Sequence, residues 1–387
     1  MAEPRSRELP LSGTTVLDCS RLLPGAVLAR MLLDLGARLI KVEDPAGGDP
    51  MRHAPPLVEG VGAGFSFFLA GAQSVCLDLS NVRGAASFRQ LSRHADVVIE
   101  SFRPGTMGRW GLGSDRLRAA NPALTVCALS SFGSSGPWAD RVAHDLNLTA
   151  TSGLLDLVEP SNGVPGIQIA DVTTAMLGCS AVLGALLQRF RTGRGAVIDQ
   201  PLSSGVVPLL AWAWADALAG SWSLRGTVLA GRAPAYRTYP CQDGAEIALG
   251  ALEPKFWLGF IEMLGLSELA HAGLDTGDPG RRAADEVRRV LATKPRDHWV
   301  AEAVARGLPV SKVQTLDDAL KGGFFDTVGL ADRTTSDPRA GLPGPFVPSL
   351  APRALGRAPT LGEHTRAILT EHGIEVDVDA GRGGTAV

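Results

Sequence analysis

Three places in the sequence set an imidazole or a carboxylate where chemistry could use one. Ala143-His144-Asp145 follows a Gly/Ser/Pro-rich loop, SSFGSSGP (130–137), at the expected start of a helix. Asp171, in GIQIADVTTAML, opens another expected helix after an apolar, strand-like run. Glu253, in GALEPKFW, stands before Pro254 at a third helix entrance. Each alone reads as an N-terminal helix residue, because acidic groups there satisfy orphan amides and complement the helix dipole. Together they supply one imidazole and several carboxylates, the equipment for moving a proton on two sides of a carbon. Free backbone amides at such a helix start can also stabilise an enolate oxyanion.

Anions would be met by Arg52 in GGDPMR, and by Arg103 and Arg109 in ESFRPGTMGRWGLG, since the guanidinium fork pairs with phosphate. Each of them reads equally as a solvated surface charge. Other chemistries are excluded by their missing motifs. There is no GxxxxGK[ST], and GLGSDR lacks the full glycine pattern of a dinucleotide loop. No His/Cys cluster has metal-ligand spacing, and no GxSxG elbow is present.

The elements that must position these residues alternate along the first half. Residues 14–20, 37–43, 75–79, 96–101 and 124–130 read as strands, and 24–36, 83–94 and 114–120 as helices between them. That pattern predicts an α/β fold with a parallel sheet. Beyond 130 the texture changes. Helices are expected over 144–156, 170–190 and 206–220, then a hairpin over 236–252 turning at Gln242-Asp243-Gly244. Two more helical stretches, 254–273 and 281–306, precede a Pro-rich connector (337–359), a late helix (360–373) and a loose tail.

The chain has 387 residues, with 45% hydrophobic and 20% charged, and its net charge is −3. That length suits two domains or one large discontinuous one with an extensive core. The slight acidity gives no support to a nucleic-acid partner. No uninterrupted apolar run reaches ~18 residues, so no membrane partner is expected. The start, MAEPRSRELPLSG, has no apolar h-region. Five dispersed cysteines without a CxxC read as reduced, buried thiols of a cytoplasmic protein.

These motifs, in this order, resemble family III CoA-transferases of the CaiB/BaiF type, most closely the α-methylacyl-CoA racemases. The resemblance runs nearly end to end: LSGTTVLDCSRLLPGAVLARMLLDLGARLIKVEDPAGGDPMR, ESFRPGTMGRWGLG, SSFGSSGP, AHDLNLTATSGLL, RGAVIDQPL, GALEPKFW and GEHTRAIL. In the transferases the aspartate matching Asp145 is the nucleophile that forms an acyl anhydride. In the racemases a histidine precedes it, a second aspartate follows about one helix later, and a glutamate sits in a GA-[IL]-EP segment. His144, Asp171 and Glu253 match those three features.

The resemblance therefore implies racemisation of a 2-methylacyl-CoA by α-proton abstraction and reprotonation through an enolate. His144 and Asp171 would work on opposite faces, Asp145 through its backbone amide near the thioester oxygen, and Glu253 in support of His144. Lys41, Arg52, Arg103 and Arg109 are expected among the substrate and CoA contacts. No metal or organic cofactor is implied, CoA being part of the substrate. The implied fold is a Rossmann-like large domain built from both chain ends plus a smaller α+β domain, in an interlocked, ring-like homodimer. On this sequence it divides as 1–200, a helical linker 201–225, a small domain 226–330 and a return segment 331–387.

The chain departs from the pattern in two places. Where the racemases carry a basic stretch like LNRGKRS it reads FLAGAQS (68–74), with Ala70, Ala72 and Gln73 in place of Arg, Lys and Arg. Each charge-assisted hydrogen bond lost to a phosphate is worth ~1.5–3 kcal/mol. The usual SGFGQ loop also reads SSFGS, with Ser131 replacing a glycine. Two alternatives stay open beside the racemase: a CoA-transferase with Asp145 as nucleophile, and a diverged acyl-thioester-binding protein.

Overall fold

The computed structural model describes residues 9–158, 163–220, 227–323 and 356–375. Two compact units emerge: Met1–Leu209 with Phe325–Val387, and Leu210–Phe324.

The first unit is built on six parallel strands: β1 (Thr15–Asp18), β2 (Arg38–Glu43), β3 (Gln73–Cys76), β4 (Val97–Glu100), β5 (Thr125–Ser130) and β6 (Val197–Pro201). Their spatial order is β3-β2-β1-β4-β5-β6. The chain first winds outward from β1 to β3, then restarts on the other side with β4. Beyond the carboxyl ends of β1 and β4 the connections therefore diverge and leave a crevice, the usual ligand position in such sheets.

Side-chain alternation explains why both faces are covered. Val16, Leu39, Val97, Ile99 and Cys127 point to one side, into a core shared with helix α1 (Leu22–Asp34) and a long helix (Ile169–Thr192). Leu17, Ile40, Val98 and Val126 point to the other, where helix Val82–Leu91, Leu117 and Ile368 of the late helix cover them. The 24-residue helix Ile169–Thr192 is long and apolar enough to cross a membrane. Here its small-residue side is packed away, with Gly178 and Ala175 toward α1: a Cβ on Gly178 would come within 2.7 Å of Leu28.

Strand and helix limits differ from expectation where tertiary pairing overrides local pattern. The third strand is Gln73–Cys76 rather than 75–79, because it pairs Ile40 with Gln73 and Glu43 with Cys76. The sixth strand, Val197–Pro201, was not anticipated. It is half-exposed, without a clear apolar run, and exists by pairing with β5. The expected 144–156 helix is two, Asp145–Thr151 and Leu154–Val158, broken at Gly153 with its positive φ of 83°. The late helix is limited to Thr365–Glu371. Connector residues 337–355 and the tail after 375 lie outside the described residues.

In the second unit the hairpin forms as expected, with strands Tyr236–Pro240 and Glu246–Gly250. A third strand, Val310–Lys312, completes an antiparallel sheet. Helices Pro254–Leu264, Asp278–Leu291 and Arg296–Ala305 pack on it around Tyr239, Trp257, Phe260 and Trp299. The expected 281–306 helix is two: one ends at Leu291, and the next starts at Arg296 with Pro295 as its N-cap.

Beneath the carboxyl edge of β1–β3 lies a buried charge cluster. Lys41, 1% exposed at its side chain, donates to Asp18 Oδ2 (3.0 Å) and Ser20 O (2.6 Å) and lies 2.9 Å from Asp49 Oδ2. Burial works against its charge, but Asp18 and Asp49 outweigh it and raise its pKa. Beside it, the Arg52 fork spans both Glu43 oxygens (2.7 and 2.6 Å) and reaches Pro359 O at 3.0 Å, with its guanidinium over the Phe65 ring. Ser74 Oγ also donates to Glu43 and accepts from the Gly362 amide, while His364 N donates to Ser74 O. The opening and closing motifs are thus one bonded unit that clamps the return segment to β3.

Arg52→Ala would leave the Glu43 carboxylate fully buried without its cation. A loss of about 3–5 kcal/mol in urea unfolding is expected; an unchanged midpoint would remove the clamp from the account of stability.

Candidate active site

A cavity of about 420 Å³ opens in the crevice between β1 and β4. Its walls come from the loops after β1 (Arg21, Leu22, Pro24), β4 (Ser101, Phe102, Arg103, Arg109) and β5 (Ser130, Ser131), and from Ala139–His144, Asp171 and Leu202. His144 and Asp171, distant in sequence, therefore share one space.

Local structure explains how each arrives there. His144 is the N-cap of Asp145–Thr151; its backbone amide donates to Asn147 Oδ1 at 3.0 Å, which fixes the helix start. Just before it, Ser131 Oγ donates to Ala143 O at 3.3 Å, while Ser134 N and Oγ both donate to Asp199 Oδ2 on β6 (2.8 and 2.6 Å). The loop leading to His144 is thus tied down at both ends. The imidazole itself is exposed.

Asp171 lies in the first turn of Ile169–Thr192. Its carboxyl is pushed up to about 6 by burial first, then by the Asp145 charge, against a smaller opposing pull from His144. A helix N-terminus favours a carboxylate, so burial and the like charge win here. Asp145 does not line the cavity; its Oδ1 accepts the Asp171 amide at 3.0 Å. The capping expected of an acidic residue at a helix start is therefore real, but it caps the neighbouring helix.

Expected substrate contacts divide in two. Arg103 and Arg109 are exposed on the cavity wall, with Arg109 Nη2 held by Thr106 Oγ1 at 2.7 Å. Lys41 and Arg52 are placed elsewhere, with their donors committed inside the protein to Asp18, Ser20 and Asp49 and to Glu43 and Pro359. Neither lines this cavity. Asp49 Oδ1 accepts the amide of Leu22, a cavity residue held at a positive φ of 65°. Glu253 is in the second unit, an exposed N-cap of Pro254–Leu264 with no side-chain capping bond.

Sequence reading missed Arg21 and Arg141, which also line the cavity. Arg21 lies over Phe102 and 3.9 Å from Asp44; Arg141 lies over Trp138, 4.3 Å from its centroid. The only available signal was proximity, Arg21 to the end of the first strand and Arg141 to His144. Four guanidiniums against Asp140 and Asp171 make the wall cationic, fit for phosphate. The altered 68–74 segment is turned inward: Ala70 is 1% and Ala72 6% exposed, and Gln73 accepts from Arg38 Nε. Among the described residues no group of three or more His, Cys, Asp or Glu is arranged for a metal ion.

Glu100, at the end of β4, is a further buried carboxyl. Burial raises it to about 7, against a 2.7 Å hydrogen bond from the Phe102 amide. That bond fixes the turn carrying Phe102 and Arg103 into the wall.

A family profile described as CoA-transferase family III matches residues 11–365. Human α-methylacyl-CoA racemase is 32% identical, with 94% of each chain covered. Succinate–glutarate CoA-transferase of Agrobacterium fabrum is 30% identical, covering 96% of this chain and 98% of its own. Among solved structures, a CaiB/BaiF family protein from Brucella suis superposes with a TM-score of 0.81 at 30% identity, covering 95% of this chain and 100% of that one. Hypothetical protein Rv3272 of Mycobacterium tuberculosis gives 0.79 at 28%, covering 93% and 99%.

The raised Asp171 carboxyl has a consequence for stability. Between 3.8 and about 6 the unfolded chain releases a proton that the folded state retains, so stability falls as pH rises through that window. Asp171→Asn is expected to raise the melting temperature above about pH 6 and to leave it unchanged below about pH 4. A gain of equal size at all pH values would contradict the assignment.

Proposed function

Because the chain belongs to CoA-transferase family III, we propose that it racemises or epimerises 2-methylacyl-CoA thioesters. The observation that carries this reading is the meeting of His144 and Asp171 on one cavity, with Asp171 titrating at about 6. A carboxyl of that kind is populated in both protonation states near neutral pH, so it can take a proton and give one back. One of the two groups removes the α-proton, and the C–H electron pair moves onto the thioester oxygen as an enolate. The other group then protonates the opposite face, and the roles exchange in the reverse direction. The thioester acidifies the α-carbon, so the scheme calls on no metal or organic cofactor.

The cationic wall of Arg21, Arg103, Arg109 and Arg141 suits the phosphates of CoA in place of the charges missing from 68–74. Backbone at His144–Asp145 would serve the enolate oxygen. We also assign a homodimer. Its support is apolar side chains exposed among the described residues: Met176, Leu187 and Phe190 on one helix, and Trp212, Trp214 and Leu218 on the next. Equilibrium sedimentation should report twice the chain mass; a monomer at micromolar concentration would remove this assignment.

The transferase reading has its own support, since relatives of both kinds match the whole chain at similar identity. It would use Asp145 to attack the thioester. Against it stands the engagement of Asp145 Oδ1 with the Asp171 amide, away from the cavity lining. A binding protein without catalysis would leave the raised Asp171 carboxyl without a use.

A single-epimer 2-methylacyl-CoA in deuterated water should take up α-deuterium and lose stereochemical purity, with His144→Ala slower by about 10²–10⁴. Absence of uptake across a range of acyl groups would sink the racemase. A new thioester on adding a carboxylic acid, lost in Asp145→Asn and kept in His144→Ala, would establish the transferase.

A further inference from the structure

We propose that the Asp145 side chain is a positioning residue that works through Asp171: its carboxylate holds the Asp171 backbone amide and sets a fixed negative charge beside the Asp171 carboxyl. The inference rests on the racemase reading of the same cavity and gives that reading a control over its working pH.

The geometry is specific. Asp145 Oδ1 accepts from Asp171 N at 3.0 Å, a bond between residues 26 positions apart, so it ties the first turn of Ile169–Thr192 to the start of Asp145–Thr151. A side chain begins one bond from its own Cα, so an anion on the Asp171 amide is necessarily close to the Asp171 carboxyl. Asp145 thus fixes where Asp171 sits and makes ionisation of Asp171 harder. The charged groups around the cavity are Arg21 after β1, Arg103 and Arg109 after β4, Asp140 and Arg141 in the loop before His144, and His144 itself. Of these and Asp145, it is Asp145 that drives the Asp171 carboxyl up and His144 that draws it down, both beneath the effect of burial. The order of events follows. With His144 neutral, Asp171 feels Asp145 undiminished and keeps its proton to higher pH. Once His144 has taken the substrate proton and become a cation, it offsets Asp145, and Asp171 can release its own proton to the opposite face.

This separates two uses of one aspartate. A nucleophile must have its oxygen free toward the thioester. A positioning group must keep its oxygen on the neighbouring amide throughout turnover.

Asp145→Asn isolates the charge, because the amide oxygen still accepts from Asp171 N. With the epimer whose α-proton Asp171 removes, the reverse of the order above, deuterium-exchange profiles should show the acid limb of kcat moved to lower pH, with kcat at pH 8 kept within about tenfold of the native enzyme. Asp145→Ala, which loses the acceptor as well, should shift the limb similarly and lose more rate. An unmoved acid limb in Asp145→Asn would overturn the proposal, and so would loss of exchange at every pH in a folded variant. A carbon-13 titration of the Asp171 carboxyl in both proteins needs no turnover: it should fall from about 6 in the native chain to a lower value in Asp145→Asn. If native protein exchanges no α-proton yet this titration moves, the racemase reading fails while the positioning stands. If the titration does not move, the positioning itself is wrong.

Discussion

The structure depends on a group of charges that cannot be hydrated. Lys41, Asp18, Asp49, Glu43 and Arg52 are all buried beneath the carboxyl edge of the sheet. An ion in that position is tolerable only with partners at hydrogen-bond distance, and removal of any one leaves another uncompensated. The cost makes the arrangement all-or-none. It holds β1 to β2 through Lys41, the loop after β2 through Asp49 and Arg52, and the returning C-terminal segment through Pro359 and the Ser74–Gly362–His364 bonds. Burial raises the Asp18 carboxyl, whereas at Asp49 the Lys41 charge and two backbone amides overcome burial and lower it.

What those charges position is the rim of the crevice. Asp49 reaches the Leu22 amide, and Leu22 begins α1 with a left-handed backbone that few residues adopt freely. Gly25 follows one turn later, where a Cβ would overlap the Ser20 hydroxyl that bonds Asp18. On the other side of the crevice Glu100 fixes Phe102 and so the approach to Arg103. The cationic wall is thereby carried on loops with little freedom, which would keep the ordering cost of the proposed anion low.

The proposed acid/base pair is supported differently. His144 is exposed, while Asp171 is largely withdrawn from water and neighboured by a second carboxylate. One group is left to solvent and the other is shifted toward neutrality by its surroundings. Two groups with separate environments can then alternate as acid and base at one pH.

Much of this was legible in the chain before folding. Alternating apolar runs and helical periods dictated an α/β fold with a parallel sheet, and Asp-Gly between two strand-like runs dictated the hairpin. His144, Asp145, Asp171 and Glu253 stood out because acidic residues and helix starts follow local rules. Tertiary structure alone decided the rest, for reasons of distance and burial. A lysine in IKVE and an arginine in GGDPMR read as available cations; only the sheet shows them consumed by carboxylates from other strands. Val197–Pro201 became a strand because β5 offered it a partner. Arg21 and Arg141 became wall residues because two loops converge on one crevice. The bond from Asp171 to Asp145, between two helix starts that sequence treats as separate caps, exists only where the chain brings those ends together.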